Sequence, residues 1–336
     1  MKKVKLGQLV FIQTGKLDAN AAVFGGKYPF FTTAKEISRI NEYAYDGEVV
    51  LVAGNGDLNV KYYKGKFNAY QRTYILTSNS NVRMKYLYYF LDKYIEVLRY
   101  QSIGGVIKYI KLNNLSDAQI PMRSIFEQDK IIGILEKLDN EIIIRSKQLS
   151  ELSNLVKSRF NEMFGDPINN DKKFAEKTGQ QCFKFSSGKF LDKNDRVFKG
   201  YPAYGGNGIA WKSRNYLIDN PTIIIGRVGA YCGNVRTTHG KVWISDNAIY
   251  IKEFKNLDFN LVFLLELMKV IDFSRFADFS GQPKITQKPL EKQKYILPPL
   301  SLQNEFADFV AQVDKSQFAC QMAIKLWRNS LKSSII

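Results

Sequence analysis

Residues 49–56 read VVLVAGNG, and residues 222–229 read TIIIGRVG. Each segment is a short apolar run that ends in a glycine loop, and the second stands in the later half of the chain where the first stands in the earlier half. An apolar run of this length predicts a buried strand, and the glycines that follow it predict a tight turn. The recurrence indicates that the chain is built from two similar units.

The repeat continues on both sides of this pair. Upstream, two further matches keep the same spacing as the glycine loops: 14–16 with 187–189, and 28–29 with 201–202. Downstream, the spacing drifts slightly, as small loop insertions would cause: 86–90 match 261–265, and Gly105 with Lys108 matches Gly281 with Lys284. The preserved order predicts two domains in which short strands and turns precede a helix.

Each half closes with a long helix in which apolar residues recur at alternating spacings of four and three. A seam of this period is typical of a coiled coil, whereas a single amphipathic core helix in each domain is the alternative. The first seam comprises Ile131, Leu135, Leu138, Ile142, Arg145, Leu149, Leu152 and Val156. The second seam keeps one constant offset from the first and comprises Phe306, Val310, Val313, Gln317, Cys320, Ile324, Trp327 and Leu331.

These patterns divide the chain into five segments. We predict a first domain at 1–122, a long helix at 123–164, a linker at 165–177, a second domain at 178–299 and a second long helix at 300–336. The linker is rich in Pro, Asn and charged residues. Its carboxylates, Asp166, Asp171 and Glu176, have no framing strand in this interpretation, so we expect a solvated hinge there rather than a metal site.

Composition favours a polyanionic partner. The chain has 49 Lys and Arg against 32 Asp and Glu, which gives a formal net charge of +17; nucleic acid is the first candidate. The three cysteines have no CxxC spacing and His239 is the single histidine, so a Cys/His metal site has little support. We find neither a signal peptide nor a membrane-length apolar stretch in the sequence, and we therefore expect a cytoplasmic protein.

Two domains, each ending in proline and a glutamine-containing start of a heptad helix, resemble the specificity subunit of type I restriction-modification enzymes. The motifs that carry the resemblance are GKYPFF and GYPAYGG, VVLVAGNG and TIIIGRVG, and the helix starts IPMRSIFEQDK and LPPLSLQNEF. Together they span nearly the whole chain. The second half departs from the pattern at its start, where QQCFKF stands in place of the opening KLGQL.

The resemblance implies an α+β fold with a pseudo-twofold internal repeat. In that family the two similar α/β units are target-recognition domains, here 1–122 and 178–299. The helices at 123–164 and 300–336 are the conserved spacer, and they pair as an antiparallel coiled coil. Full overlap of the two seams predicts these facing pairs: Ile131 with Leu331, Leu138 with Ile324, Ile142 with Cys320, Arg145 with Gln317, and Val156 with Phe306.

The resemblance also implies that the chain reads a two-part sequence of double-stranded DNA and performs no catalysis. Its partners are two methyltransferase subunits that use S-adenosylmethionine, and restriction subunits that translocate DNA with ATP and Mg²⁺. The residues agree with the absence of catalysis. Asp219-Asn220-Pro221-Thr222 lacks the second proline and the aromatic residue of an amino-methyltransferase motif. The loop at 226–229 lacks the third glycine of a dinucleotide loop, and no phosphate-binding GxxxxGK(S/T) loop is found in the sequence. We therefore predict no cofactor and no metal on this chain.

Polar, basic and aromatic residues follow each glycine loop and are the candidate DNA contacts. Asn pairs well with adenine and Arg with guanine, while Lys and Tyr reach phosphates and sugars. In the first half they are Asn55, Asp57, Asn59, Lys61, Tyr62, Tyr63, Lys64, Lys66 and Arg72. In the second half they are Arg227, Tyr231, Asn234, Arg236, Thr237, His239 and Lys241. Lys108 and Lys284 are predicted phosphate contacts because each lies shortly after a matched glycine; for all these residues a solvated hairpin surface is the alternative.

Two other functions remain open from the sequence alone. One is a self-sufficient DNA methyltransferase or nuclease whose catalytic half has diverged. The other is an architectural protein that bridges duplexes through its coiled coil without reading sequence.

Overall fold

The computed structural model describes residues 2–255 and 259–333. Residues 1, 256–258 and 334–336, which fall in three of the predicted segments, lie outside the described residues. The chain folds into two compact units: Met1–Ser146 with Met322–Ile336, hereafter unit 1, and Lys147–Gln321, hereafter unit 2. Both units combine sheets with helices, so the predicted α+β class is confirmed.

Unit 1 opens with strands and ends in helices. Its strands are β1 (Lys3–Lys5), β2 (Val10–Thr14), β3 (Tyr28–Phe31), β4 (Ser38–Ile40), β5 (Tyr45–Ala53), β6 (Val60–Ala69), β7 (Thr73–Ser78) and β8 (Gln119–Pro121). Its helices are α1 (Met84–Gln101), α2 (Leu112–Ser116), the start of α3 (Ile125–Phe164) and the end of the last long helix, from residue 322 on. Two short 3₁₀ helices lie at Leu6–Gln8 and Ala19–Ala21.

The apolar run at residues 49–53, in strand β5, lies at the centre of the main sheet of unit 1. Its strand order is β2-β7-β5-β6-β3-β4, with β3 and β6 parallel and the other neighbours antiparallel. Every residue from Val49 to Ala53 is at most 2% exposed. Val50 and Val52 join a core with Leu87 of α1, whereas Val49 and Leu51 pack into a second cluster with Phe67. Because both faces of β5 are covered, its sequence is continuously apolar rather than alternating.

Unit 2 repeats this plan. Its strands are β9 (Ala175–Thr178), β10 (Phe183–Ser187), β11 (Arg196–Gly205), β12 (Gly208–Ser213), β13 (Ile223–Gly226), β14 (Val235–Thr237), β15 (Trp243–Ile244), β16 (Ala248–Phe254) and β17 (Lys294–Leu297). Its helices are the end of α3, α4 (Gly179–Cys182), α5 (Leu261–Ile271), α6 (Gln287–Lys292) and the first part of α7 (Leu300–Ser333). Short 3₁₀ helices lie at Lys193–Asp195, Gly229–Tyr231 and Phe273–Phe276.

The sheets of unit 2 follow the same order as the sheet of unit 1, with one break. Strands β10-β16-β13-β14 form one sheet and β12-β11-β15 another, with β11 and β15 parallel as β3 and β6 are. The strand that corresponds to β6 is thus divided into β14 and β15. Gly240, at φ +64°, lies in the interruption, and the Thr238 hydroxyl there accepts a hydrogen bond from the Thr222 backbone N–H (3.0 Å).

The start of the second domain has a structural counterpart in the first domain. Strand β9 pairs antiparallel with β17, as β1 pairs with β8, and the short helix α4 follows it as the 3₁₀ helix Leu6–Gln8 follows β1. The apparent departure at QQCFKF is therefore a difference of side chains and not of structure. Strand β9 begins inside the predicted linker, so the last residues of 165–177 belong to this two-stranded sheet.

The rest of that segment is a turn that local hydrogen bonds order, and several of its residues, among them Asp171, are exposed. Asp171 Oδ1 accepts a hydrogen bond from the Asp166 backbone N–H (2.9 Å), and Asp166 Oδ1 accepts one from the Ile168 N–H (2.9 Å). Glu176 forms an ion pair with Lys294 at 3.1 Å. Asp166 and Asp171 thus stabilise the turn by local hydrogen bonds. Glu176 joins strand β9 to strand β17.

The helices α3 and α7 carry the two predicted seams. None of the sixteen seam residues is exposed: Leu135, Val156, Phe306, Val310, Val313, Cys320 and Ile324 are buried, and Ile131, Leu138, Ile142, Arg145, Leu149, Leu152, Gln317, Trp327 and Leu331 are half-buried. In unit 1, Leu331 packs into the same cluster as Ile131, Leu135 and Leu138. This burial is what a paired-helix seam requires.

In unit 2 the helices run antiparallel, as the resemblance implied, but the predicted register is wrong. Gln317 donates a hydrogen bond to Ser153 Oγ (3.3 Å), about two helical turns beyond its expected partner Arg145. The Cys320 thiol donates to Gln148 Oε1 (3.4 Å) rather than facing Ile142.

Two phenylalanines explain the shift. The apolar seam of α3 continues past Val156 to Phe160 and Phe164, whose rings lie 5.6 and 5.5 Å from the ring of Phe306. Aromatic side chains bury more area than a valine does. Phe306 therefore packs against them, and α7 is displaced along α3.

Candidate nucleic-acid interface

In unit 1, a hairpin at 103–109 is fastened to the glycine loop after β5. The Gly56 N–H donates to the Lys108 carbonyl (2.9 Å), and the Ile110 N–H donates to the Gly54 carbonyl (2.9 Å). Gly56 has φ +69°, a conformation that favours glycine. These bonds join two segments that are far apart in sequence into one surface.

Unit 2 builds the same surface from different residues. The Gly229 N–H donates to the Pro283 carbonyl (2.9 Å), and the Ile285 N–H donates to the Arg227 carbonyl (2.9 Å). Gly229 has φ +78°. The glycine loop and the hairpin at 278–284 thus repeat the arrangement of unit 1 bond for bond.

The bonding pattern corrects one predicted equivalence. Asn55 pairs with Tyr109 in unit 1, and Val228, which matches Asn55 in the repeat, pairs with Lys284 in unit 2. Lys284 therefore corresponds to Tyr109 and not to Lys108. Both lysines are exposed, but the argument that the two halves keep one phosphate-binding lysine at the same position is wrong.

Two of the candidate DNA contacts of unit 1 meet in a cavity of about 580 Å³ beside the hairpin. The cavity is lined by Thr14, Gly54, Asn55, Tyr70, Gln71, Arg72, Tyr74, Ile107, Tyr109 and Ile110. Asn55 and Arg72 were predicted from the sequence, whereas Tyr70, Gln71, Ile107 and Tyr109 were missed. The missed residues come from the turn before β7 and from the hairpin, which only the fold brings to the glycine loop.

Three other candidates of unit 1 hold neighbouring segments of their own domain. Asp57 forms ion pairs with Lys35 and Arg99, both at 3.1 Å, and the hydrogen bond from Lys35 lowers the pKa of Asp57. The Asn59 amide donates to the Thr33 carbonyl (2.8 Å), and the Lys61 ammonium donates to the Ala34 carbonyl (2.7 Å). Burial lowers the pKa of Lys61. These bonds fix the segment that precedes β4; a contact of these three residues with DNA stays a prediction.

The remaining candidates on β6 do not share one face, because side chains alternate along a strand. Tyr62 donates to Glu48 (2.8 Å), and its ring lies 6.3 Å from that of Tyr88 on α1. Tyr63 packs on the other side, against Phe31 and Phe67. Lys64 and Lys66 are exposed, with the Lys66 ammonium 4.6 Å from the centre of the Tyr43 ring.

In unit 2, three of the candidate residues contact other residues of their own domain. The Arg227 guanidinium lies 3.4 Å from the Asp246 carbonyl, and Arg236 donates to Asn207 (3.1 Å). Lys241 lies 4.8 Å from the centre of the Tyr216 ring. Thr237 is half-buried, and the exposed side chains are those of Tyr231, Asn234, Arg236, His239, Lys241 and Lys284.

Comparison with protein families decides what this duplicated fold is. The model for the type I restriction modification DNA specificity domain matches residues 1–154 and again residues 161–325. The chain belongs to this family. Both copies of the internal repeat are thus copies of the specificity domain.

Curated members of the family are similar to parts of the chain. The EcoDI specificity subunit of Escherichia coli is 39% identical over 156 residues, which are 46% of this chain and 35% of that protein. The EcoprrI specificity subunit of Escherichia coli is 21% identical over 247 residues, or 69% of this chain and 61% of that protein. The chain spans less than two thirds of the length of either relative.

Two solved structures share the fold over nearly the whole chain. The S subunit from M. genitalium superposes with a TM-score of 0.67 at 20% identity, covering 98% of this chain and 95% of that one. A chain from a structural study of complex assembly and conformational transition of the type I R-M system gives a TM-score of 0.60 at 14% identity, covering 99% and 95%.

The described residues contain neither a membrane-length apolar helix nor a metal-binding cluster. Over 2–255 and 259–333, no helix has the length and apolar character that a bilayer crossing needs. In the same ranges, no three His, Cys, Asp or Glu side chains group closely enough to hold a metal ion.

Proposed function

We propose that this chain is the DNA sequence-recognition subunit of a type I restriction-modification enzyme. It reads a two-part target, one half with each specificity domain, and it performs no catalysis itself. The observation that carries the proposal is the duplicated site: in both units a glycine loop and a hairpin form the same bonded pair and present polar and cationic side chains. The formal net charge of +17 supports a polyanionic ligand.

The proposed partners follow from the family. They are double-stranded DNA, two methyltransferase subunits that carry S-adenosylmethionine, and restriction subunits that use ATP and Mg²⁺. The paired helices α3 and α7 scaffold the methyltransferase subunits. The complex works in the cytoplasm, and neither S-adenosylmethionine nor a metal binds to this chain.

The experiment is selection from a random-sequence duplex pool, at fixed salt, by the chain assembled with its methyltransferase subunits. We expect enrichment of a bipartite site with an unread gap, and methylation of that site only when the methyltransferase is present. Binding without any enriched sequence would support the architectural alternative. Transfer of a labelled methyl group by the purified chain alone would support the self-sufficient enzyme.

A further inference from the structure

The hairpin of unit 1 presents apolar side chains to solvent at its tip. Val106 is fully exposed and Ile107 is 63% exposed. The hairpin is closed by two hydrogen bonds between Ile103 and Tyr109, at 3.0 and 2.8 Å. Gly104 turns the chain at φ +115°, where an added Cβ would lie 2.6 Å from the Ile107 carbonyl oxygen. The tip is therefore a built hairpin that holds its apolar residues outward.

The hairpin of unit 2 does the same with a different sequence. Asp278 and Lys284 close it with two backbone hydrogen bonds, at 2.9 and 3.1 Å, and the Asp278 carboxylate accepts a bond from the Ser280 N–H (2.9 Å). Phe279 at this tip is 71% exposed. The two hairpins read IGGVIKY and DFSGQPK. Both hairpins thus present an exposed apolar side chain, but at different positions: Phe279 corresponds to Gly104, and Val106 and Ile107 correspond to Gly281 and Gln282.

Cationic and amide side chains surround the tip of unit 1. Ile107 lines the same cavity as Asn55 and Arg72, and the exposed Lys108 is its neighbour in the hairpin. An apolar tip beside cationic and amide side chains fits a nucleic acid duplex, whose stacked bases are apolar between two charged backbones. A protein partner would need acidic groups to match the same cations.

From this geometry we infer that each hairpin is a wedge that enters the base stack of its half-site. Val106 and Ile107 enter the half-site read by unit 1, and Phe279 enters the half-site read by unit 2. Apolar side chains inserted between base pairs unstack one step and bend the duplex. The steps that open most easily are pyrimidine–purine steps. The inference rests on the proposed DNA-recognition function and adds a readout of duplex deformability to it.

The test uses the full chain with its methyltransferase subunits and duplexes of the selected site that carry 2-aminopurine at successive positions. Fluorescence of this base rises when its neighbour unstacks. We expect a rise at one step in each half-site. The double variant Val106→Ser/Ile107→Ser should lose the rise in the first half-site alone, Phe279→Ser should lose it in the second alone, and affinity should fall roughly tenfold or more. Phe279→Leu should keep the rise.

The controls separate this inference from the proposed function. The replaced side chains are exposed, so circular dichroism and the unfolding midpoint should match those of the wild type. A selected site bound with no fluorescence rise at any position would overturn the wedge and leave sequence recognition standing. Failure to select any site would overturn the recognition function itself. Serine variants that keep the rise but lose the methyltransferase would assign the tips to a protein contact and so overturn the wedge.

Discussion

In each half, one buried glutamine holds the start of the long helix against the domain before it. Gln128 accepts a hydrogen bond from the Arg83 N–H and donates to the Arg123 carbonyl, both at 2.9 Å. Gln303 accepts from the Asn260 N–H (3.0 Å) and donates to the Pro298 carbonyl (2.9 Å). Arg83 and Asn260 precede the first turns of α1 and α5. The glutamine that marked the helix starts in the sequence is thus a structural clamp, and it occupies the same place in both halves of the repeat.

We expect Gln128→Leu to lower the free energy of unfolding by about 1–3 kcal/mol, because it leaves a backbone donor and a backbone acceptor without partners. Urea unfolding measures the change. Gln119→Leu, at an exposed position of β8, is the matched control and should stay within about 0.5 kcal/mol of the wild type. Equal stability of Gln128→Leu and the wild type would show that the clamp contributes nothing.

At the same scale, the sequence predicted part of the candidate site. Asn55 lies within the glycine loop, Arg72 follows it further along the chain, and both line the cavity beside it. Tyr109 and Ile107 could not be found, since their place depends on the long-range bonds between Gly56 and Lys108. Lys61 could not be recognised as an anchored residue, because its carbonyl acceptor lies on another segment.

At the scale of elements, polar contacts join α1 to α3 in unit 1. Arg83 and Asp129 form a bidentate ion pair, with Nε–Oδ1 at 2.7 Å and Nη2–Oδ2 at 2.9 Å. Tyr89 donates to Asp139 (2.9 Å), and Lys85 pairs with Glu136. In unit 2 the corresponding helices α5 and α7 also have a polar contact, from the Asn260 amide to Asn304 Oδ1 (2.9 Å), and the ring of Phe160 on α3 lies 6.0 Å from that of Phe263 on α5.

The Arg83–Asp129 pair predicts a pH dependence. The hydrogen bond from Arg83 lowers the pKa of Asp129 in the folded state, so the pair stabilises the fold above the unfolded pKa of about 3.9. The contribution is lost as pH falls through the lowered folded pKa. We therefore expect the Asp129→Asn variant to be less stable than the wild type at pH 7. The two proteins should be equally stable at a pH low enough to protonate Asp129 of the wild type. Thermal unfolding across pH 2–7 measures the stability difference between the variant and the wild type.

The control for that series is Asp308→Asn, which makes the same change of charge at an exposed position of α7. A stability difference for Asp129→Asn that stayed constant down to the lowest pH would contradict the ionic origin of the effect. A difference of the same size for Asp308→Asn would assign it to net charge.

The sequence predicted the long helices α3 and α7 better than the register in which they pair. Heptad spacing predicted both long helices, and none of the sixteen seam residues is exposed, because burial follows the period. The register could not follow from the seams alone, since Phe160 and Phe164 lie beyond the matched repeat and their stacking on Phe306 fixes it. The division of one strand into β14 and β15 likewise depends on the local bonds of Thr238.

At the scale of the whole molecule, each compact unit contains one specificity domain and its own part of the paired helices. The chain passes from one unit to the other between Ser146 and Lys147 in α3 and between Gln321 and Met322 in α7. The antiparallel contact of Gln148 with Cys320 lies next to both junctions. A segment added at both junctions would therefore pair with itself and leave the core of each unit intact.

We expect one heptad inserted at both junctions to lengthen the unread gap of the DNA target and to keep both half-sites. Seven residues add about 10 Å at about 1.5 Å per residue, which corresponds to about three base pairs at about 10.5 base pairs per 36 Å. A whole heptad preserves the seam, whereas the same insertion in one helix alone leaves seven residues unpaired and should abolish binding of the two-part target. Methylome sequencing of a host that expresses each variant with the methyltransferase measures the gap. An unchanged gap in the double insertion would show that the paired helices do not set the spacing, and altered half-sites would show that the two domains do not read independently.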